Sequence, residues 1–433
     1  MKRADGLKRE DHTMGGFRGS GSAPFRLAAA WYRAAIRSHS LRAAVLFAIS
    51  GAAFAIGNLL LARRLPVAEY GSLVLAVAIY MVLAQLAPLG TDQMVIRRAL
   101  TYRRKTAAFQ AISGLMIGCV AALGIREFAS FPWIAAAALG GAVASGALLV
   151  GVSAEMRARG WGFAPMVFAA PSFVLLVIGV AAQLVPSPGL ETTLIAFALG
   201  LLVLALAAVL LTLRHASYTA PAAVRWLDIV PIVGVVAVAT ISNQFDRLLL
   251  PLLLGLGDVA TFSVLSSLAI FPFRLLDAGV NFTLTPRLSK AGDPRLAYGA
   301  FKAELGITAA FLVIACGGIV LLAPAVAFHL TDGRYELSVL LVICACLSGL
   351  AKLMHGFLRS IAVALGTSQE LYQVNACGWI ALTVAALCAA AGSRFGLAGF
   401  VAGSASGYGA VMAPALAIAV LRLRARAQQR SAS

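Results

Sequence analysis

The chain has 433 residues, of which 61% are hydrophobic and only 12% are charged. Soluble proteins are about half apolar and about a quarter charged. The composition therefore predicts an integral membrane protein and excludes a cytosolic enzyme, a secreted disulfide scaffold and a disordered chain. The net charge of +18 would favour a nucleic-acid partner in a soluble protein. Here the basic residues lie between apolar segments and at both ends, which is typical of cytoplasmic loops, so we expect membrane lipids and no nucleic acid as partners.

The first 40 residues are basic and lack an apolar core, which predicts a cytoplasmic tail and no cleaved signal peptide. A bilayer core of about 30 Å requires roughly 20 apolar residues in a helix. Twelve segments qualify: 41–62, 70–90, 107–125, 131–152, 163–185, 191–213, 228–254, 259–284, 303–325, 337–358, 372–392 and 396–420. They predict an all-α integral membrane protein with about 12 transmembrane helices.

The loops between these segments alternate in charge. With the N-terminus in the cytoplasm, most basic residues fall on the cytoplasmic side, as the positive-inside rule requires. The opposite side holds only Arg63, Arg64, Arg126, Arg334 and Arg394. We therefore predict a multi-pass protein with both termini in the cytoplasm.

An offset of 189 residues aligns two parts of the chain without gaps. It places Glu69 on Asp258 and Arg98 on Arg287. Six spans separate the two copies, so the repeats have the same orientation, as in several transporter folds with substrate between the halves. We predict a basic cytoplasmic tail at 1–40, six-helix lobes at 41–213 and 228–420, a cytoplasmic linker at 214–227 and a basic cytoplasmic tail at 421–433.

Three segments resemble the polysaccharide and O-antigen lipid flippases: Gly57–Gly71 (GNLLLARRLPVAEYG), Leu89–Arg98 (LGTDQMVIRR) and Asp246–Leu250 (DRLLL). The resemblance runs from about residue 41 to 420. It implies the multidrug/oligosaccharidyl-lipid/polysaccharide exporter superfamily, with two parallel-repeat six-helix lobes that open alternately to each side. It further implies flipping of an undecaprenyl-diphosphate-linked oligosaccharide across the bacterial inner membrane for polysaccharide or lipopolysaccharide biosynthesis. Polysaccharide assembly proteins are a further class of partner.

Two other functions compete with this interpretation. A cation-coupled multidrug exporter of the same superfamily often has an acidic residue in the first span, whereas the core of this span, 43–61, has none. A membrane glycosyltransferase or ligase would carry a large outer catalytic loop or a cluster of acids, and neither is present. We therefore expect a transporter and not an enzyme. We expect no cofactor, because no nucleotide-binding motif occurs, and no metal, because the six cysteines lack metal spacing.

Ionisable residues within membrane spans are costly and are therefore candidates for function. Lys352, His355 and Arg359 occur at i, i+3 and i+7, which puts them on one helix face. Such a face can hold a diphosphate. Lys352 has no carboxylate within one helical turn, so we expect an anionic headgroup as its transient partner. Arg274 either lines a cavity or forms an intrahelical pair with Asp277.

Other polar residues supply further candidates. For substrate binding we predict Arg274, Lys352, His355, Arg359, Asn58, Gln85, Asn243 and Gln244, with hydrogen bonding between helices as the alternative for the four amides. For gating or lobe contact we predict Asp246, Arg247, Asp277, Asp92, Arg98 and Arg287. Asp246 and Arg247 are adjacent on a helix, so they should find different partners. Gly399, Gly403 and Gly407 form a smooth ridge that predicts close helix packing.

Overall fold

The computed structural model describes residues 39–96, 100–129, 131–159, 161–186, 188–214, 230–290 and 293–432. The chain separates into two compact units, 1–42 and 43–433. Nearly all of the first unit lies outside the described residues, as do most of the predicted tail at 1–40 and linker at 214–227. All contacts reported below belong to the second unit.

The described residues form helices and no strands, which confirms the predicted all-α class. The first half of the chain contains α1 (His39–Arg64), α2 (Val67–Leu86), α3 (Thr91–Ile96), α4 (Arg104–Ala129), α5 (Trp133–Ala158), α6 (Ala164–Phe168), α7 (Ala170–Ala181) and α8 (Leu190–Arg214). The second half contains α9 (Val230–Leu253), α10 (Leu256–Leu265), α11 (Phe271–Lys290), α12 (Pro294–Leu330), α13 (Val339–Leu365), α14 (Ser368–Gly392) and α15 (Gly396–Ala432).

Ten segments of the described chain are long and apolar enough to cross a membrane, and one of these, Gln369–Gln428, includes both α14 and α15. A shorter apolar helix, α7, follows directly on α6. Each of the twelve segments predicted from the sequence overlaps at least one of these helices. The chain is a multi-pass membrane protein.

Prolines affect the course of two predicted spans in different ways. The predicted span 70–90 ends early, at Leu86, because Pro88 has no N–H to continue the helix. A turn at Leu89 and Gly90, both with positive φ, then leads into α3. The residues before Pro272 form a π-helical turn, Ser266–Ile270, and the helix resumes at Phe271. A π turn accommodates the missing proline donor without ending the helix, so Pro272 does not break this span.

The two halves of the unit meet where α1 and α2 pack on α9 and α10. Arg63, at the end of α1, forms an ion pair with Asp332, whose N–O distance is 2.7 Å. The Arg334 side chain donates to the Leu65 carbonyl at 3.2 Å. Tyr70 and Tyr335 pack edge to face with ring centroids 6.2 Å apart. Side-chain contacts thus join the turn after α1 to the connection between α12 and α13.

Candidate functional site

A buried carboxylate connects three helices of the second half. Asp246 on α9 accepts a hydrogen bond from the ammonium of Lys352 on α13 through Oδ2. Its Oδ1 accepts from the Ser404 hydroxyl on α15 at 2.6 Å. Asp246 is 3% exposed. The expectation that Lys352 lacks a fixed carboxylate is therefore wrong: the partner is on another helix, which spacing along one helix cannot detect.

Arg247 points away from Asp246, as adjacent positions on a helix predict. Its guanidinium donates to Gln244 Oε1 at 3.0 Å and to Ser266 Oγ at 3.3 Å. It also lies 5.7 Å from the ring of Phe54 on α1, so it faces the first half of the chain. Arg247 is 2% exposed, and its Nε has no hydrogen-bond partner among the described residues.

Arg274 on α11 reaches across to α9. Its Nη2 donates to the backbone carbonyl of Asn243 at 2.7 Å, and its Nε has no hydrogen-bond partner among the described residues. Arg274 does not form the intrahelical ion pair with Asp277 that was the alternative prediction. Asp277 pairs instead with Arg359 on α13, with an N–O distance of 3.5 Å.

These residues share one region of the second half, which we call the cationic cluster: Asp246, Arg247, Arg274, Asp277, Lys352 and Arg359. The positive charges of Arg247 and Arg274 act on each other and on Lys352. Four cations face two carboxylates, so the cluster carries excess positive charge. Lys352 is the central residue of α13, which places the cluster deep within the apolar spans, where unneutralised charge is costly.

His355 follows Lys352 on α13 and is also buried. Its Nδ1 lies 2.7 Å from the Tyr408 hydroxyl on α15. Neither Ser404 nor Tyr408 is among the residues predicted from the sequence. They occur four residues apart on α15, so they share a face, and this spacing beside the glycine ridge was the available signal.

Two of the four predicted amide residues, Asn58 and Gln85, form hydrogen bonds between helices, whereas Gln244 bonds to Arg247 within α9. The Asn58 amide on α1 is 3.4 Å from Ser263 Oγ and 3.4 Å from Ser267 Oγ. Gln85 on α2 accepts from Thr240 on α9 at 2.9 Å. Both contacts join the two halves of the chain. In this conformation Asn58 and Gln85 therefore take the role that was the alternative for the amides, hydrogen bonding between helices.

Two of the remaining predicted residues, Asp92 and Arg287, have their described contacts outside the cationic cluster. Asp92 is buried on α3 and accepts from the Gln93 amide at 2.7 Å. Arg287 is exposed and pairs with Glu304 at 3.3 Å. Arg98 lies outside the described residues. In the described part of the chain, no group of three or more His, Cys, Asp or Glu side chains is placed to hold a metal ion.

The fold has well-defined relatives among solved structures. An inward-facing multidrug resistance MATE family transporter of the MOP superfamily superposes with a TM-score of 0.64 and 14% identity, over 89% of this chain and 96% of that one. The lipid II flippase MurJ, in an inward closed conformation, gives 0.62 and 14%, over 88% and 90%. An outward-facing MATE transporter gives 0.59 and 14%, over 91% and 98%. This chain has the fold of these transporters.

No family model and no curated protein matches the chain. The similar structures include an exporter family and a lipid flippase, so the fold alone is compatible with either type of cargo.

Proposed function

We propose that this protein is a secondary transporter of the bacterial inner membrane that flips an undecaprenyl-diphosphate-linked oligosaccharide, with both termini in the cytoplasm. The observation that carries the proposal is the excess positive charge of the cationic cluster. A diphosphate supplies the anionic charge that the cluster lacks. A positively charged drug would be repelled by the same residues, which disfavours the alternative of a cation-coupled multidrug exporter.

The geometry supports a mechanism of partner exchange. Without substrate, the ammonium of Lys352 is held by Asp246, and Arg274 is held by a backbone carbonyl. A diphosphate oxygen can compete for both groups and for the unpartnered Nε donors of Arg247 and Arg274. Guanidinium groups bind phosphate oxygens in a bidentate manner. Arg247 also faces Phe54 on α1, so a new partner for Arg247 would alter a contact between the halves of the chain.

The decisive experiment measures flipping in proteoliposomes that contain a fluorescent undecaprenyl-diphosphate oligosaccharide. A membrane-impermeant quencher reports the fraction of label exposed to the outside. We expect Arg274→Ala to slow flipping about tenfold or more, because a charge-assisted contact with the headgroup is lost. Arg274→Lys should retain part of the activity, since charge persists without the planar fork.

The matched control is Arg295→Ala, which removes an exposed arginine on α12 and should leave flipping unchanged. Equal flipping by Arg274→Ala and the parent protein, at equal amounts of inserted protein, would overturn the headgroup site. Uptake of a cationic dye without lipid flipping in the same vesicles would instead favour the multidrug exporter.

A further inference from the structure

A second feature of the second half is an apolar groove of about 480 Å³. It lies between the last turns of α13, the first turns of α14 and the C-terminal part of α15. Its walls include Leu358, Ile361, Val374, Val411 and Leu423. A volume of this size falls in the range of about 300–1,000 Å³ typical of sites for small ligands. No residue of the cationic cluster lines it, so it is a separate site.

The mouth of the groove is polar and basic. Arg422 and Arg426 occur four residues apart on α15, so both project from one helix face and both line the groove. Arg426 donates to Glu370 at 3.0 Å. Glu370 is fixed in place by a capping box with Thr367 at the start of α14. Two guanidinium groups thus meet one carboxylate, which leaves positive charge at the mouth.

The position of these charges matches the geometry of a bilayer. The ends of membrane-spanning helices lie near the lipid headgroups. The mouth is where α13 ends and α14 begins, while the apolar walls continue along the spans. Ile418, on the wall, is 51% exposed. An acyl chain would cover this apolar surface, and a headgroup phosphate would reach the two arginines.

We propose that this groove binds an anionic phospholipid, with one acyl chain along the apolar walls and the headgroup phosphate on Arg422 and Arg426. The charge complementarity at the mouth selects an anionic over a zwitterionic headgroup, because each basic side chain near the membrane surface favours anionic lipid. This inference does not depend on the cargo that the protein transports.

Binding is tested by native mass spectrometry of the delipidated, detergent-solubilised protein with phosphatidylglycerol or phosphatidylcholine. We expect phosphatidylglycerol to bind about tenfold more tightly. The double variant Arg422→Gln, Arg426→Gln should lose this preference. Its fold should survive, because Arg426 is about half exposed and an ion pair at the surface contributes little stability. Arg424→Gln, which removes an exposed arginine of the same helix outside the groove, is the matched control.

Location is tested by alkylation of native cysteines with N-ethylmaleimide. Cys377 lines the groove, whereas Cys388 lies on the same helix outside it. Phosphatidylglycerol should slow alkylation of Cys377 about fivefold or more and leave Cys388 unchanged.

Three results would overturn the phospholipid site. They are equal binding of the two lipids, an equal loss of binding in Arg424→Gln, and equal protection of both cysteines. Stronger protection of Cys377 by undecaprenyl phosphate than by phosphatidylglycerol would reassign the groove to the isoprenoid lipid. A parent protein that prefers phosphatidylglycerol but does not flip the labelled oligosaccharide lipid would contradict the proposed cargo and support this site.

Discussion

At the scale of single residues, Lys352 shows how this protein keeps a charge at the centre of an apolar helix. The ammonium is largely withdrawn from water, and its partner Asp246 is withdrawn almost completely, with side-chain exposures of 11% and 3%. A buried ion pair contributes little net stability, because desolvation offsets the attraction. Removing one partner is much more damaging than removing both, since it leaves a buried charge uncompensated.

We therefore expect Lys352→Gln to lower the apparent melting temperature of the solubilised protein, corresponding to a loss of roughly 3–5 kcal/mol. Adding Asp246→Asn should restore only part of the stability, because both charges of the pair are then absent but Arg247 and Arg274 also lose the attraction of the Asp246 carboxylate. Flipping should stay low in the double variant, since the headgroup cation is still missing. Recovery of flipping together with stability would mean that Lys352 serves only as the partner of Asp246.

Asp92, on α3, is a second buried carboxylate. Burial raises the pKa of Asp92, while the Gln93 hydrogen bond and the charge of Arg157 act in the other direction. The folded protein therefore binds this proton more tightly than the unfolded chain does. The stabilisation from protonation is complete below the ordinary pKa of aspartate, and it is lost as the pH rises through the raised value.

Asp92→Asn should therefore raise the apparent melting temperature at about pH 8, with the difference vanishing near about pH 4, where the carboxyl is already protonated. Asparagine keeps an oxygen acceptor for the Gln93 amide, so the hydrogen bond is preserved. Melting curves across this pH range provide the measurement. A lower melting temperature at every pH would show that the charge of Asp92 stabilises the protein.

At the scale of helices, α14 and α15 pack along the predicted glycine ridge. A Cβ atom at Gly407 would lie 2.8 Å from the Cα of Ala385 and 2.8 Å from the carbonyl oxygen of Val384. A Cβ at Gly403 would meet the carbonyl oxygen of Cys388. These neighbours are backbone atoms, which cannot move aside without shifting a helix. The absence of side chains is thus what allows the two helices to approach closely.

Replacing glycine by alanine at two positions of α15 distinguishes the effect of helix packing on stability from the effect of backbone flexibility. Gly407→Ala should reduce thermal stability, because the new methyl group meets the backbone of α14. Gly409→Ala should leave stability unchanged or raise it, by about 0.5–1 kcal/mol. At Gly409 the nearest atom to a new Cβ is a side-chain methyl, 3.7 Å away. Equal effects of the two substitutions would show that the ridge does not govern this contact.

At the scale of the whole unit, the two halves are fastened at the end where α1 turns into α2. The ion pair between Arg63 and Asp332 is half exposed, so it adds little stability by itself. It does mark two positions, one from each half, that lie close together in this conformation. A transporter that opens alternately to each side must separate them. The parallel six-helix lobes and their boundaries stay predictions, which superposition of 41–213 on 228–420 would test.

Cross-linking these positions should stop transport. In a background without the six native cysteines, Arg63→Cys and Asp332→Cys joined by a short reducible thiol reagent should abolish flipping, and reduction should restore it. Each single cysteine variant treated with the same reagent is the control. Full activity in the cross-linked protein would show that this end does not open during transport.

The sequence by itself determined the membrane class, the all-α fold and the approximate position of most spans, although the predicted span 163–185 is divided between α6 and α7. These follow from hydropathy and segment length, which are local properties. It also located the ionisable residues inside spans. Only the tertiary structure decided how they pair. Lys352 pairs with Asp246, which is 106 residues away in the chain. Arg274 donates to the backbone carbonyl of Asn243 and does not pair with Asp277. Such partners depend on the rotation and packing of neighbouring helices, because a side chain in an apolar interior bonds whichever polar group another helix brings within reach.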